Sequence, residues 1–243
     1  MNHYSVGLTD RDRVDNAFGG GFPEGSIVLL EGADGAGKSV VAQRCAYGMV
    51  TEGTAVAYVS TELRAPEFIG QMHSLSYDVV RPLLDDRLLF LHAPVDARGP
   101  GPDGDRDLLA RLFDAGTIWR ADAVFVDSFG AMLRNDPSFD DAAADGDADH
   151  AMERVVRALK RAVADGRTVF LTVDPTGLDA TALGPLRSVA DVYLTIETST
   201  VGQDVRRSMV VRRFAGMASP VDDTIGFSVE QGRGITIESR TIA

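Results

Sequence analysis

One short stretch constrains this chain more than any other. Gly32-Ala33-Asp34-Gly35-Ala36-Gly37-Lys38-Ser39 fits the pattern G-x-x-x-x-G-K-S. Small residues at that spacing let consecutive backbone N–H groups curl around phosphate oxygens, and a helix that follows adds the positive end of its dipole. Both flanks suit the motif. Ile27-Val28-Leu29-Leu30 is a short, continuously apolar run, as in a central strand buried on both faces. Val40 to Thr51 reads as a helix with Val41, Cys45 and Met49 on one side. The expected nucleotide-binding residues are Ala33, Asp34, Gly35, Ala36, Gly37, Lys38, Ser39 and Val40. In this pattern Lys38 reaches the β- and γ-phosphates and the Ser39 hydroxyl binds Mg²⁺. Asp34 is discordant, because a carboxylate repels phosphate, so its side chain is expected to face solvent.

The remaining chain alternates short apolar runs with helical patterns. After the turn-rich Phe18 to Ser26, strands are expected at Ala55–Val59, Leu88–Leu91, Ala123–Val126, Thr168–Val173 and Val189–Ile196. Between them, Asp149 to Asp165 carries an apolar stripe of Met152, Val155, Val156, Leu159 and Val163, with Gly166 as a stop. This order implies an α/β fold, a mostly parallel central sheet flanked by helices. From about Gly202 the pattern changes to Val205–Phe214, Thr224–Glu230 and Gly234–Glu238, a closing C-terminal antiparallel hairpin. At roughly 150 residues per domain, 243 residues fit a single domain over 1–243. Pro94 to Asp107 and Asn135 to Asp149 are long Gly/Pro/Asp-rich connections, either docking surfaces or solvated loops.

Charge narrows the partners. The formal net charge is −12, from 27 Asp and 9 Glu against 22 Arg and 2 Lys. Such a surface disfavours nucleic acid and anionic lipid. Asp in excess with Lys nearly absent suits a very salty cytoplasm, where screening keeps an acidic surface folded and soluble, and this points to a haloarchaeal source. The single Cys45 excludes an internal disulfide. His3, His73, His92 and His150 have no partners at metal-ligand spacing and read as structural or surface residues. No window approaches 18 consecutive apolar residues and Met1 to Asp12 has no apolar signal core, so a cytoplasmic location without direct membrane insertion is expected.

A magnesium-bound nucleotide needs a second acid at the end of a neighbouring strand. Ala123-Val124-Phe125-Val126-Asp127 provides one, with Asp127 holding the ion through water. Standing alone, the same pattern also describes an Asp that caps the next turn. Glu62, in Tyr58-Val59-Ser60-Thr61-Glu62-Leu63, is the candidate catalytic residue, placed to orient and deprotonate water at the carboxyl end of a strand. Its other reading is a first-turn acid for a helix over Ala65 to Ser74, a place that Pro66 and Glu67 also suit.

Gly19-Gly20-Gly21-Phe22-Pro23-Glu24-Gly25-Ser26, Glu31 to Ser39 and Val59-Ser60-Thr61-Glu62-Leu63 resemble the KaiC branch of the RecA superfamily. Lys38 to Leu63, Glu67-Phe68-Ile69-Gly70-Gln71-Met72 and Ile225-Gly226-Phe227-Ser228-Val229-Glu230 resemble the FlaH (ArlH) family, the KaiC-like ATP-binding proteins of the archaeal flagellar, or archaellum, motor. The likeness runs from about Phe18 to Glu238. It implies a RecA-like P-loop NTPase domain that binds ATP with Mg²⁺ and forms hexameric rings. It also implies docking at the cytoplasmic base of the archaellum, beside the motor ATPase and the membrane platform. Hydrolysis in that family is weak or undetectable, and nucleotide acts as an assembly or switching signal. Lys38 and Ser39 carry over as phosphate and Mg²⁺ ligands, Asp127 as the Walker B acid and Glu62 as the candidate catalytic glutamate.

The chain also departs from that pattern. KaiC proteins reach a neighbour's γ-phosphate with Lys-x-Arg; here the sequence is Val211-Arg212-Arg213-Phe214, with Phe214 where the second base belongs. Arg212 and Arg213 are therefore either trans contacts or residues alternating across an edge strand, and an incomplete pair favours slow turnover. Asp174-Pro175 occupies the position where RecA-like proteins sense the γ-phosphate, and an acid is a poor ligand there. Ser60 and Thr61 are either acceptors for autophosphorylation or simply the end of a strand. The alternative function is a free-standing KaiC-like signalling ATPase or autokinase; a single domain, where many KaiC proteins have two, favours the motor component. A RecA/RadA-type DNA-binding role is disfavoured, because Asn135 to His150 holds Asp136, Asp140, Asp141, Asp145, Asp147 and Asp149 and no Lys or Arg.

Overall fold

The computed structural model describes residues 2–95, 108–136, 148–178, 180–201 and 204–238. Its first strands, β1 (His3–Tyr4) and β2 (Phe22–Pro23), pair antiparallel around two single-turn helices, α1 (Thr9–Asp12) and α2 (Val14–Ala17). The apolar runs then become one nine-stranded sheet among the described residues. β3 (Ile27–Gly32), β4 (Val56–Ser60), β5 (Leu88–His92), β6 (Ala123–Asp127), β7 (Thr168–Val173) and β8 (Val192–Val201) run parallel. β9 (Asp204–Phe214), β10 (Thr224–Glu230) and β11 (Gly234–Ile237) continue it as an antiparallel meander. The order is β11-β10-β9-β8-β3-β7-β6-β4-β5.

The helices are α3 (Lys38–Thr51), α4 (Ala65–Ser74), α5 (Val80–Leu84), α6 (Leu108–Asp114), α7 (Phe129–Asn135), α8 (Ala148–Ala164) and α9 (Ala180–Val189). They leave both faces of the parallel strands covered, which is why those strands are apolar without alternation. Val28, Leu30, Tyr58, Phe125 and Phe170 pack under Val41, Cys45 and Met49 of α3. Ile27, Leu29, Val124 and Leu171 face Met152, Val155 and Leu159 of α8 and Leu186 of α9.

Several boundaries differ from the sequence reading. α3 starts at Lys38 rather than Val40, so Lys38, Ser39 and Val40 of the expected nucleotide-binding set form its first turn. β8 begins at Val192 because α9 runs through Val189 with Pro185 inside it. The residues before Phe18, to which the sequence reading gives no element, form a clasp. Arg44 on α3 is fully buried with Asp12 (Nε–Oδ2 2.5 Å) and also donates to the carbonyls of Val6 and Gly7 at 2.6 and 2.7 Å. α3 has Gly48 there because a Cβ would lie 1.7 Å from the Val6 oxygen. The connections expected at Pro94–Asp107 and Asn135–Asp149 fall largely outside the described residues.

Position in the sheet decides where the site lies. β3 has β7 and β8 as neighbours, and the chain leaves it through α3 to reach β4, beyond both β7 and β6. The carboxyl ends of β3, β7, β6 and β4 therefore share one open crevice, the usual ligand site of such a sheet.

Candidate nucleotide site

The loop between β3 and α3 turns on two glycines in the left-handed region, Gly35 at φ 70° and Gly37 at φ 109°, where a side chain would be strained. Lys38 is 8% exposed, and its Nζ donates to the Ala33 carbonyl at 2.7 Å, folding the ammonium over the loop. Asp34 is exposed, as expected, and its Oδ1 accepts the Gly35 N–H at 2.8 Å. α3 begins here with free backbone N–H groups and its positive dipole end directed at the loop.

Asp127 ends β6 and is 5% exposed. Oδ1 accepts the Ser39 hydroxyl at 3.0 Å and the Thr172 hydroxyl at 2.6 Å; Oδ2 accepts the Tyr58 hydroxyl at 2.8 Å. The register produces this convergence, with Ser60 level with Asp127 on β4 and Leu171 level with Val126 on β7. Burial first, and then the Asp127 charge, push the Tyr58 hydroxyl well above its ordinary pKa, so it stays a donor. A hydroxyl and a carboxylate in contact at the start of α3 make a hard, oxygen-only donor set, which fits Mg²⁺. Asp127 is thus a buried acid tied to the phosphate loop, beyond a simple turn cap.

Glu62 lies in the turn after β4 and is exposed. Its pKa is raised, by desolvation first and then by the charges of Asp127 and Asp34, while Lys38 and Arg134 oppose the shift. A carboxylate that gains a proton more readily suits a group that must accept one. The first-turn role in α4 belongs instead to Glu67, whose Oε2 accepts the Arg64 N–H at 2.8 Å. Ser60 and Thr61 are both buried. Ser60 Oγ accepts the Leu63 N–H at 3.0 Å and Thr61 Oγ1 accepts the Ser128 N–H at 3.1 Å, so both hydroxyls organise the strand end. Burial alone would raise the Asp174 pKa. The Thr176 N–H and hydroxyl, together with the charges of Lys38 and Arg134, outweigh it and hold the pKa below the ordinary value.

The family profile described as "ATPase: KaiC" matches residues 12–241. An archaeal flagellar ATP-binding protein, FlaH of Methanocaldococcus jannaschii, is 32% identical over 96% of this chain and 95% of its own. The chain belongs to the FlaH family, within the KaiC-like branch of RecA proteins. The crystal structure of the flagellar accessory protein FlaH from the same organism superposes with a TM-score of 0.86, at 30% identity, over 98% of this chain and 100% of that one. A KaiC-like protein from Pyrococcus horikoshii gives a TM-score of 0.74 at 20% identity, over 98% and 100%, and speaks for the fold alone. The mostly parallel sheet with its C-terminal antiparallel strands is thus a FlaH and KaiC-like P-loop architecture.

Against that family frame, Arg212 and Arg213 of β9 are engaged within their own chain. β9 is an interior strand between β8 and β10, which corrects the edge-strand reading. Arg212 donates to Thr195 Oγ1 at 3.1 Å and Glu197 Oε1 at 2.9 Å. Arg213 Nη1 donates to the carbonyls of Arg187, Ser188 and Ala190, at 3.0, 3.3 and 2.6 Å, and so caps the C-terminus of α9. Four site residues escaped sequence reasoning. Tyr58 and Thr172 look like ordinary strand residues until the sheet order brings them to Asp127. Arg207 of β9 pairs in register with Phe227, and both flank the loop: a Cβ at Gly37 would lie 3.6 Å from the Phe227 ring and 3.7 Å from Arg207 Cδ. Nothing in a sequence with such separations marks that contact.

Proposed function

We propose that this chain is an ATP-binding regulatory and assembly component of the archaellum motor. In this reading it binds Mg²⁺-ATP, associates with copies of itself into a hexameric ring, and docks on the motor ATPase at the cytoplasmic face of the membrane platform. It turns ATP over slowly or not at all. The FlaH relatives support the setting, as archaeal flagellar ATP-binding proteins. The observation that carries the reading is the pairing of Ser39 with Asp127 at 3.0 Å beneath the phosphate loop, while Arg212 and Arg213 are engaged within their own chain. Lys38 and the loop amides would hold the phosphates, Ser39 and Asp127 the ion, and Arg207 with Phe227 would border the nucleoside. Glu62 would orient water, but without a committed trans cation the rate stays low. Among the described residues no helix is long and apolar enough to cross a membrane, so a partner supplies the membrane contact.

The test is native mass spectrometry of the full chain with its motor ATPase, with and without Mg²⁺-ATP. ATP is expected to change ring formation or complex formation; no change in either discards the assembly role. The autokinase alternative is weakened by the burial of Ser60 and Thr61. A mass gain of one phosphate on either residue after incubation with ATP would restore it.

A further inference from the structure

The mouth of the crevice is crowded with acids. Val173 of β7 pairs with Glu31 of β3, so Asp174 leaves the sheet beside Gly32, the first residue of the phosphate loop. On the other side the Thr61 N–H donates to the Asp127 carbonyl at 2.7 Å, so Glu62 emerges just past Asp127. Asp34, Glu62 and Asp174 thus border the space beyond Lys38, where the last phosphate of a bound nucleotide must lie. Lys38 brings one positive charge to that space, and a terminal phosphate among carboxylates calls for another.

Besides the ion proposed on Ser39 and Asp127, a cation available on the Asp174 side of the mouth is Arg134 of α7. This helix lies close against the end of β7: a Cβ at Gly130 would be 3.3 Å from the Asp174 nitrogen. One turn later, on the same helix face, Arg134 donates from Nη1 to the carbonyls of Asp174 at 3.3 Å and Thr176 at 3.0 Å. Its stem passes Gly177, where a Cβ would lie 3.4 Å from Arg134 Cδ. These partners are neutral backbone carbonyls; Arg134 has no ion pair among the described residues, and its side chain is exposed. A guanidinium carries donors on three nitrogens in a flat fork, so Nη1 can stay on the carbonyls while Nη2 and Nε turn to a phosphate oxygen. Its charge already reaches both flanking acids, opposing the rise in the Glu62 pKa and adding to the fall in that of Asp174. It contrasts with Arg44, Arg187, Arg212 and Arg213, each of which is engaged by a carboxylate or a helix end.

We propose that Arg134 is a specificity-determining residue, which contacts the terminal phosphate of the bound nucleotide from within the same chain and sets a preference for triphosphate over diphosphate. It rests on the nucleotide-binding reading above and adds to it the group that distinguishes the two ligand states. Arg134 thereby does part of what Asp174, an acid at the sensing position, is unsuited to do.

The test is calorimetric titration of the full chain, in high KCl, with Mg²⁺-ADP and with a non-hydrolysable Mg²⁺-ATP analogue. Wild type is compared with Arg134→Gln and Arg134→Lys, and the melting midpoint is recorded without nucleotide. Arg134→Gln is expected to weaken the triphosphate about tenfold, the scale of one charge-assisted hydrogen bond, and the diphosphate by less than about twofold. Arg134→Lys is expected to recover part of the loss. Equal losses for both ligands, or no loss for either, overturn the role of Arg134 while leaving nucleotide binding intact. A wild-type chain that binds neither ligand overturns the nucleotide reading and this inference with it. If Arg134→Gln does not fold, Arg134→Lys decides: an unchanged triphosphate-to-diphosphate ratio for a folded Lys variant rejects the fork contact.

Discussion

The phosphate loop and the arginine pair on β9 both present basic residues, yet the fold treats them differently. Lys38 is held by a single neutral loop carbonyl at 2.7 Å, so a phosphate can replace or join that partner at little cost. Arg212 and Arg213 are already engaged, one on Glu197 and Thr195, the other on three carbonyls at the end of α9. A cation is a ligand group only to the extent that the fold leaves it uncommitted. By that measure the proposed nucleotide would be gripped within the chain, with little help from a neighbouring copy.

Graded substitutions can break this comparison. The largest effect is expected at Arg44, the most fully committed cation, whose removal leaves Asp12 buried and unpaired. Arg44→Ala should cost about 3–5 kcal/mol in chemical denaturation, and a loss below ~1 kcal/mol would mean that the N-terminal clasp is not part of the folded body. Next, Lys38→Ala should weaken Mg²⁺-ATP about 100-fold or more while the melting midpoint of the free chain barely moves. A variant that binds as well as wild type would remove Lys38 from the site. Arg213→Ala should lower stability by about 1 kcal/mol, through loss of the α9 cap. Arg212→Ala should cost less than about 0.5 kcal/mol, because its ion pair is exposed. Both should leave nucleotide binding by the isolated chain within about threefold; a loss as large as that of Lys38→Ala would show that this pair reaches the ligand.

The smallest effect is a pH dependence at Glu62. Its folded-state pKa is raised, so ionisation opposes folding. That penalty is fully present above the raised pKa and disappears as pH falls to the ordinary carboxylate range. Glu62→Gln should therefore be slightly more stable than wild type near neutral pH, with the two converging in acid. A variant less stable than wild type near neutral pH would reverse the sign.

The same contrast explains what could be read in the sequence. The run Ile27–Leu30, the glycine spacing and the apolar strand before Asp127 are local patterns with local causes, and each sits where the pattern put it. The Tyr58 and Thr172 hydroxyls on Asp127 were not legible, because they reach it only after β4, β6 and β7 have taken their order in the sheet. Arg44 was equally hidden, since a basic residue in a helix ordinarily faces water and its buried partner is 32 residues away in an unpatterned start. For Arg212 and Arg213 the sequence leaves trans contacts and an edge strand equally open, because it does not say that β10 pairs on the far side of β9. Local chemistry was readable; which charges would be left over was not, because that depends on who packs against whom.

The most direct test of the account is a single sample of the full chain, kept in high KCl, assayed for Mg²⁺-ATP binding by calorimetry and for released phosphate over the same hours. The account predicts saturable binding that depends on Lys38, with turnover near or below about 10⁻³ per second, the scale of a P-loop protein lacking an external arginine. Turnover near one per second that vanishes in Lys38→Ala, or no binding at all, would contradict it.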